Sequence, residues 1–338
     1  MREDLNLHAS LCHKWIKEAM PNGMFELIHV LSDDPCQTAS ALRSKWGATW
    51  QADNRLLADA ANKKIAVLRA QMLPVCPEAL SRYKELFAPE SLRKGAQRYS
   101  KKTSIGGDSI EFQWIANMPD AVLQGLSDLY LHWVTTLALP SNLLQHLMAA
   151  IPKKDPGTHR LIAVIATLLR LFMGLVCRHE VRPWDEAVAL PGDSAAPGQA
   201  CEFATLQRHL ALEMAFLTGE HASVILWDLQ AFYDTINIEV LADQALAKGF
   251  PKYILVLCLQ LHMAPRLIQS KDMVSEPVEP ATGAVAGDSS STSLARALLH
   301  DAVGSEACPV EEVTISANQH VDDITQSVIG SCIQNMAH

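Results

Sequence analysis

The chain has no Cys-x-x-Cys pair, no apolar leader, no run long enough to span a membrane and no surplus of positive charge. Each absence narrows the function. Eight scattered cysteines, with Cys12-His13 lacking a second pair at ligand spacing, argue against a zinc module. They read instead as small hydrophobes in a reducing compartment, so an intracellular location, nuclear or cytoplasmic, is expected. The most apolar stretch, 161–177, is shorter than the about 20 residues a span needs. It also carries Arg170, at a cost of roughly 2.5–3.5 kcal/mol in a bilayer. A buried helix and no membrane partner are expected there.

The net charge of −9 argues mildly against a polyanionic partner, but the charge is unevenly spread. Residues 271–338 hold ten acidic residues against Lys271 and Arg296, whereas the rest of the chain is nearly balanced. Upstream, Arg93, Lys94, Arg98, Lys101 and Lys102 form a basic cluster, which suits a solvated loop or a nucleic-acid contact.

Apolar periodicity predicts helices over 39–72, 119–137, 161–181, 205–217, 238–248 and 292–303, with Pro140 opening a further one. The turn-rich segment 151–160 reads as a hairpin, 223–228 as a short buried strand, and 274–285 as a possible strand pair. This is mixed α and β without regular βαβ alternation, an α+β pattern.

The chemistry concentrates near the C-terminus. Val313, Ile315, Ala317 and Val321 precede Asp322-Asp323, and Ile324 and Val328 follow, which predicts two strands joined by an Asp-Asp turn. Two carboxylates at a hairpin tip suit a hard divalent cation, although Asp is also an ordinary turn former. Asp33-Asp34, before Pro35, is a control: that context suits a turn or helix cap. Asp228 ends the apolar run Val224-Ile-Leu-Trp227, where it is either a metal ligand or the cap of the next helix. If Asp228 and Asp322 meet, their repulsion of roughly 4 kcal/mol at about 4 Å would be reversed by a bound cation.

These segments resemble the palm motifs of reverse transcriptases. Asp228-Leu-Gln-Ala-Phe-Tyr-Asp234 looks like the first, the 283–294 segment with Gly283, Gly287 and Ser291 like the second, and His320-Val-Asp322-Asp323 like the third. Ala286 stands where the family usually has Gln, Thr292 where it has Pro, and His320 where it has Tyr or Phe. Ile151-Pro-Lys153-Lys154 and His159-Arg160-Leu-Ile162 are similar to the fingers segments, and Gly106-Gly-Asp108 with Met118-Pro119 to the region before the fingers in non-LTR retrotransposon enzymes.

The resemblance implies a right-hand polymerase fold, with a helical region over 1–103 and fingers and palm over 104–338. Because the chain ends soon after Asp323, it implies a domain without its thumb. It implies Mg²⁺, or Mn²⁺, held by Asp228, Asp322, Asp323 and the Leu229 carbonyl. It makes Tyr233 the sugar-selecting ring, Arg160 with Lys153 or Lys154 the triphosphate contacts, and Gly287 and Ser291 the points of close approach. The implied activity is RNA-directed DNA synthesis, with RNA template, DNA primer and dNTPs as partners. A remnant that is catalytically inactive and at most binds nucleic acid is the alternative. A core position for Tyr233 and a solvated basic turn for Lys153, Lys154 and Arg160 also remain open.

Overall fold

Prolines at 35, 77 and 89 open three of the first four helices among the described residues, where a missing N–H costs nothing and φ is already helical. The computed structural model describes residues 34–152, 159–270, 273–304 and 313–331. Lys153, Lys154, Asp33 and Cys12-His13 lie outside these. The helices are α1 (Pro35–Thr49), α2 (Arg55–Met72), α3 (Pro77–Leu86) and α4 (Pro89–Gln97). Asp34 caps α1 by accepting from the Cys36 N–H, as its context suggested. The predicted helix over 39–72 is two helices. Gln51 takes a positive φ of 50° after Trp50, and Asn54 starts α2 by accepting from the Leu57 N–H.

After α5 (Phe112–Ala116) and α6 (Asp120–Thr136), Leu137 ends the helix in the left-handed region and the chain enters β1 (His146–Pro152). Pro140 opens a turn, not a helix, because the apolar residues beyond it are drawn into the sheet. β2 (His159–Val164) pairs antiparallel with β1, so the hairpin runs farther than its basic residues suggested. Only 167–181 of the predicted 161–181 helix is helical, as α7 (Thr167–Val176) and a π turn (Cys177–Val181). An unbroken apolar run satisfies a buried strand and a buried helix equally, and here it serves one after the other.

The chain continues through α8 (Arg182–Val188), α9 (Cys201–Thr218), β3 (His221–Asp228), α10 (Phe232–Thr235), α11 (Ile238–Ala247) and α12 (Lys252–His262). β4 (Arg266–Ser270), β5 (Met273–Val274), α13 (Ser291–Gly304), β6 (Val313–His320) and β7 (Asp323–Gly330) complete it. One sheet has the order β2-β1-β4-β5, with β1 and β4 parallel, and the other the order β3-β7-β6, antiparallel throughout. The strand pair expected over 274–285 reduces to β5, which pairs with β4, and a lone bridge from Val278 to Arg266. No helix among the described residues is long and apolar enough to cross a membrane.

The core is centred on an aromatic group: Phe87 lies 5.5 Å from both Tyr130 and Phe172, and Trp133 lies 5.3 Å from Phe172. α7 and α12 are buried along most of their length. Arg266 is buried beside them. It donates to the Gly283 carbonyl at 2.7 Å, and its guanidinium lies 4.5 Å from the Trp50 ring. Trp50 in turn donates to Asp234 at 2.7 Å, which ties the N-terminal helices to the segment after β3.

Two histidines are enclosed with Arg266. His146 Nε2 meets the Leu261 carbonyl at 2.7 Å, and His262 Nδ1 accepts from the Val285 N–H at 3.1 Å. Burial lowers His146 to about 4 and His262 to about 3, and the Arg266 charge adds to both effects. Both rings are therefore neutral in the native protein and gain a proton on unfolding below pH about 6.5. Their stability contribution is present above that pH and is lost as pH falls toward about 4 and then about 3. Melting temperature should be flat near pH 7 and fall steadily below 6.5. A profile unchanged down to pH 4 would refute this.

Candidate metal and nucleotide site

The alternation around Asp322-Asp323 does produce a hairpin, with the turn shifted by one residue from the expected place. Val321 and Asp322 form it, Val321 at φ 60°, while Asp323 is the first residue of β7 and pairs with His320. On its other side β7 pairs with β3, and that register places Asp323 opposite Asp228. Directly opposed residues on antiparallel strands have Cα atoms about 4.5–5.5 Å apart and side chains on one face. Trp227 and Ile324, one step away, line an apolar cleft of about 260 Å³ against α13. The Asp228 and Asp323 carboxylates therefore face away from α13. Leu229 follows Asp228 and lines the same cleft.

β3 is not the buried strand expected from its composition. All eight of its residues are exposed, with Leu226 at 74% and Trp227 at 51%. It is the edge strand of a three-stranded sheet, and α9 leaves Phe203, Leu206, Leu210 and Met214 open to solvent as well. Asp228 thus stands in a solvated place, and the desolvation expected to make its charge costly does not arise.

The segment after Asp228 is stitched to the glycine-serine segment. The Ala284 N–H donates to the Tyr233 carbonyl at 2.7 Å and the Gly283 N–H to the Ile236 carbonyl at 2.8 Å, while Thr282 Oγ1 donates to the Asp234 carbonyl. Gly283 is required by this contact. Its φ is +97°, and a Cβ would meet the Asp234 carbonyl oxygen at 2.8 Å. Gly283→Ala should cost about 1–3 kcal/mol in strain and lower the melting temperature; an unshifted melt would show that the contact is dispensable.

Tyr233 is half-buried on α10. Burial raises its hydroxyl to about 12; a hydrogen bond with Thr292 opposes the shift and the Asp322 charge adds to it. It is therefore a neutral phenol within electrostatic reach of Asp322. Gly287, at φ +107°, lies where an added Cβ would be 3.4 Å from the Ala163 carbonyl oxygen. Nearby, the Ala163 N–H donates to the Ala286 carbonyl at 3.3 Å, which joins the β1-β2 hairpin to this segment. Ser291 is buried and its hydroxyl donates to the Val285 carbonyl at 2.6 Å, so it holds the turn and does not face an open site. Arg160 is exposed on β2 and has no ion pair among the described residues. Asp108 accepts from the Leu168 N–H at 3.0 Å, anchoring the start of α7.

The register sets Asp323 opposite Asp228, with Asp322 next in the turn and close enough to Tyr233 for its charge to be felt there. Among the described residues, however, no group of three or more His, Cys, Asp or Glu side chains converges as a formed metal cluster. The available donors are hard carboxylate oxygens, the type Mg²⁺ and Mn²⁺ take.

Neighbours that sequence reasoning did not bring together lie close by. His320 Nδ1 is 3.1 Å from the Cys201 sulfur at the start of α9 and 3.4 Å from Ser194 Oγ. Buried Arg296 pairs with both Asp185 and Asp193, and Ser293 donates to Asp185 at 2.7 Å. The Arg296 signal was visible as one of only two basic residues in the acidic last fifth of the chain. Its partners, about a hundred residues upstream, were not. No protein-family model matches the chain, and no curated protein matches its sequence.

Proposed function

We propose that the chain forms the fingers and palm of a reverse transcriptase, an RNA-directed DNA polymerase that adds dNTPs to a DNA primer on an RNA template. The pairing of Asp228 with Asp323, beside the Val321-Asp322 turn, carries this reading. The segments resembling the first and third palm motifs, far apart in sequence, meet there at their acidic residues, and the segment resembling the second, 283–294, is bonded to the first through Ala284 and Tyr233.

Asp228, Asp322 and Asp323, with the Leu229 carbonyl, would hold Mg²⁺ or Mn²⁺. The bound cation would supply Lewis-acid activation of the primer hydroxyl and charge neutralisation at the leaving pyrophosphate. The chain's own part is positional. The β3-β7 pairing fixes two carboxylates side by side, and Tyr233, within electrostatic reach of Asp322, would be the ring that meets the sugar. Arg160 offers from the hairpin, for triphosphate, a guanidinium with no ion pair among the described residues. Lys153 and Lys154, its companions in the resemblance, lie outside the described residues.

The absence of a converged acidic cluster among the described residues favours a second reading, a catalytically inactive domain that binds nucleic acid. Extension of a DNA primer on an RNA template with Mg²⁺ decides between them. Template-directed products support the first reading. Salt-dependent RNA binding without Mg²⁺-dependent product supports the second.

A further inference from the structure

The basic cluster seen in the sequence is divided by the fold. Arg93 pairs with Asp120 at 2.6 Å and Lys94 with Glu90 at 2.6 Å, so these two are satisfied locally. Arg98 goes elsewhere. It lines a cleft of about 590 Å³ between the end of α4, the π turn with α8, and the first turn of α13.

Arg98, Arg178, Arg182 and Arg296 all reach this cleft, with Asp185 as its one lining carboxylate. Arg296 is neutralised by Asp185 and Asp193, and Arg182 pairs with Glu186 at 3.0 Å. Arg98 and Arg178 differ from both: each is exposed, and neither has an ion pair among the described residues. They come from segments about eighty residues apart in sequence and present guanidinium forks without an ion pair among the described residues to one space in a chain of net charge −9. Arg178 lies on the π turn, a backbone form frequent at functional sites. At the α13 end, Thr292 lines the cleft and also bonds Tyr233, which senses Asp322. The α13 wall of the cleft is thus linked through Tyr233 to the side of the molecule that holds Asp322.

A guanidinium with no carboxylate partner suits phosphate, which it can grip through two N–H groups. Two of them, offered from different elements lining one open cleft, suit a ligand with more than one phosphate. We infer that this cleft holds the phosphodiester backbone of a single nucleic-acid strand entering the site, with Arg98 and Arg178 as its phosphate contacts. The direction of the strand toward Asp322 rests on the polymerase reading; the binding itself does not.

The test is fluorescence anisotropy of a labelled single-stranded RNA oligonucleotide, titrated without Mg²⁺ over a series of salt concentrations. Comparison of the parent with Arg98→Gln/Arg178→Gln keeps both side-chain stems in place, and a melting curve checks that the variant folds. Loss of two contacts should weaken binding by about tenfold or more at low salt. It should also reduce the slope of log affinity against log salt by about 1.4, at about 0.7 per single-strand phosphate. Lys101→Gln/Lys102→Gln, outside the cleft, should leave the slope unchanged.

An unchanged slope in the arginine variant would overturn the inference. Equal losses in the two variants would also overturn it, since they would indicate diffuse attraction to a basic surface. Displacement of the RNA by inorganic pyrophosphate at matched phosphate concentration would overturn it in favour of a small-anion site. Absence of primer extension with the arginine effect intact would remove the polymerase reading and leave this one standing.

Discussion

Asp228→Ala is expected to abolish Mg²⁺-dependent primer extension while leaving the melting temperature unchanged or slightly raised. The two halves of this result have different causes. Asp228 is exposed and pairs directly with Asp323, so its removal leaves no cavity and relieves a like-charge contact worth about 0.2–1 kcal/mol. Any catalytic role depends on a bound cation, whose stabilisation of the transition state is worth several kcal/mol. Loss of about 4 kcal/mol corresponds to a rate reduction of roughly a thousandfold. A carboxylate that merely ended a strand would show the same near-unchanged melt with no specific loss of synthesis. Extension by the variant at the parental rate would sink the assignment of Asp228.

Arg296→Met should give the largest loss of stability. Arg296 is 3% exposed and bonded to Asp185 and Asp193, both also buried. Removing the cation leaves two carboxylates in a poorly hydrated place, and breaking such a pair typically costs about 3–5 kcal/mol. The pH dependence identifies the cause. Burial already raises Asp185, against the opposing effects of Ser293 and Arg296. Without Arg296 the folded-state value of Asp185 rises further above the unfolded value of about 3.9. Stability contributed by a raised carboxyl is present below the unfolded value and lost as pH rises through the folded one. The penalty, measured by urea unfolding, should therefore be greater at pH 7 than at pH 5. An equal penalty at both would point to lost packing of the arginine stem.

The local elements were largely legible from the residues. Alternating apolar residues predicted β6 and β7, the 292–303 pattern lies within α13, and the Asp34 cap followed from Pro35. Misreadings cluster where one residue pattern satisfies two structures. The apolar run from Leu161 feeds β2 and then α7, and the residues after Pro140 enter a sheet instead of a helix. Composition also misjudged β3, because an apolar strand is buried only when something covers it, and here neither face is covered well.

By itself the sequence determined that three acidic or glycine-serine segments exist in an order resembling a palm, and that each suits a strand end or turn. Tertiary structure alone decided that Asp228 lies opposite Asp323, because register depends on the partner strand and a slip of one residue would turn the side chain to the other face. It likewise decided that Arg98 and Arg178 share a cleft while Arg93 and Lys94 are spent on nearby carboxylates. Charge can be counted along a chain, but whether it is free to bind depends on what the fold places within reach of it.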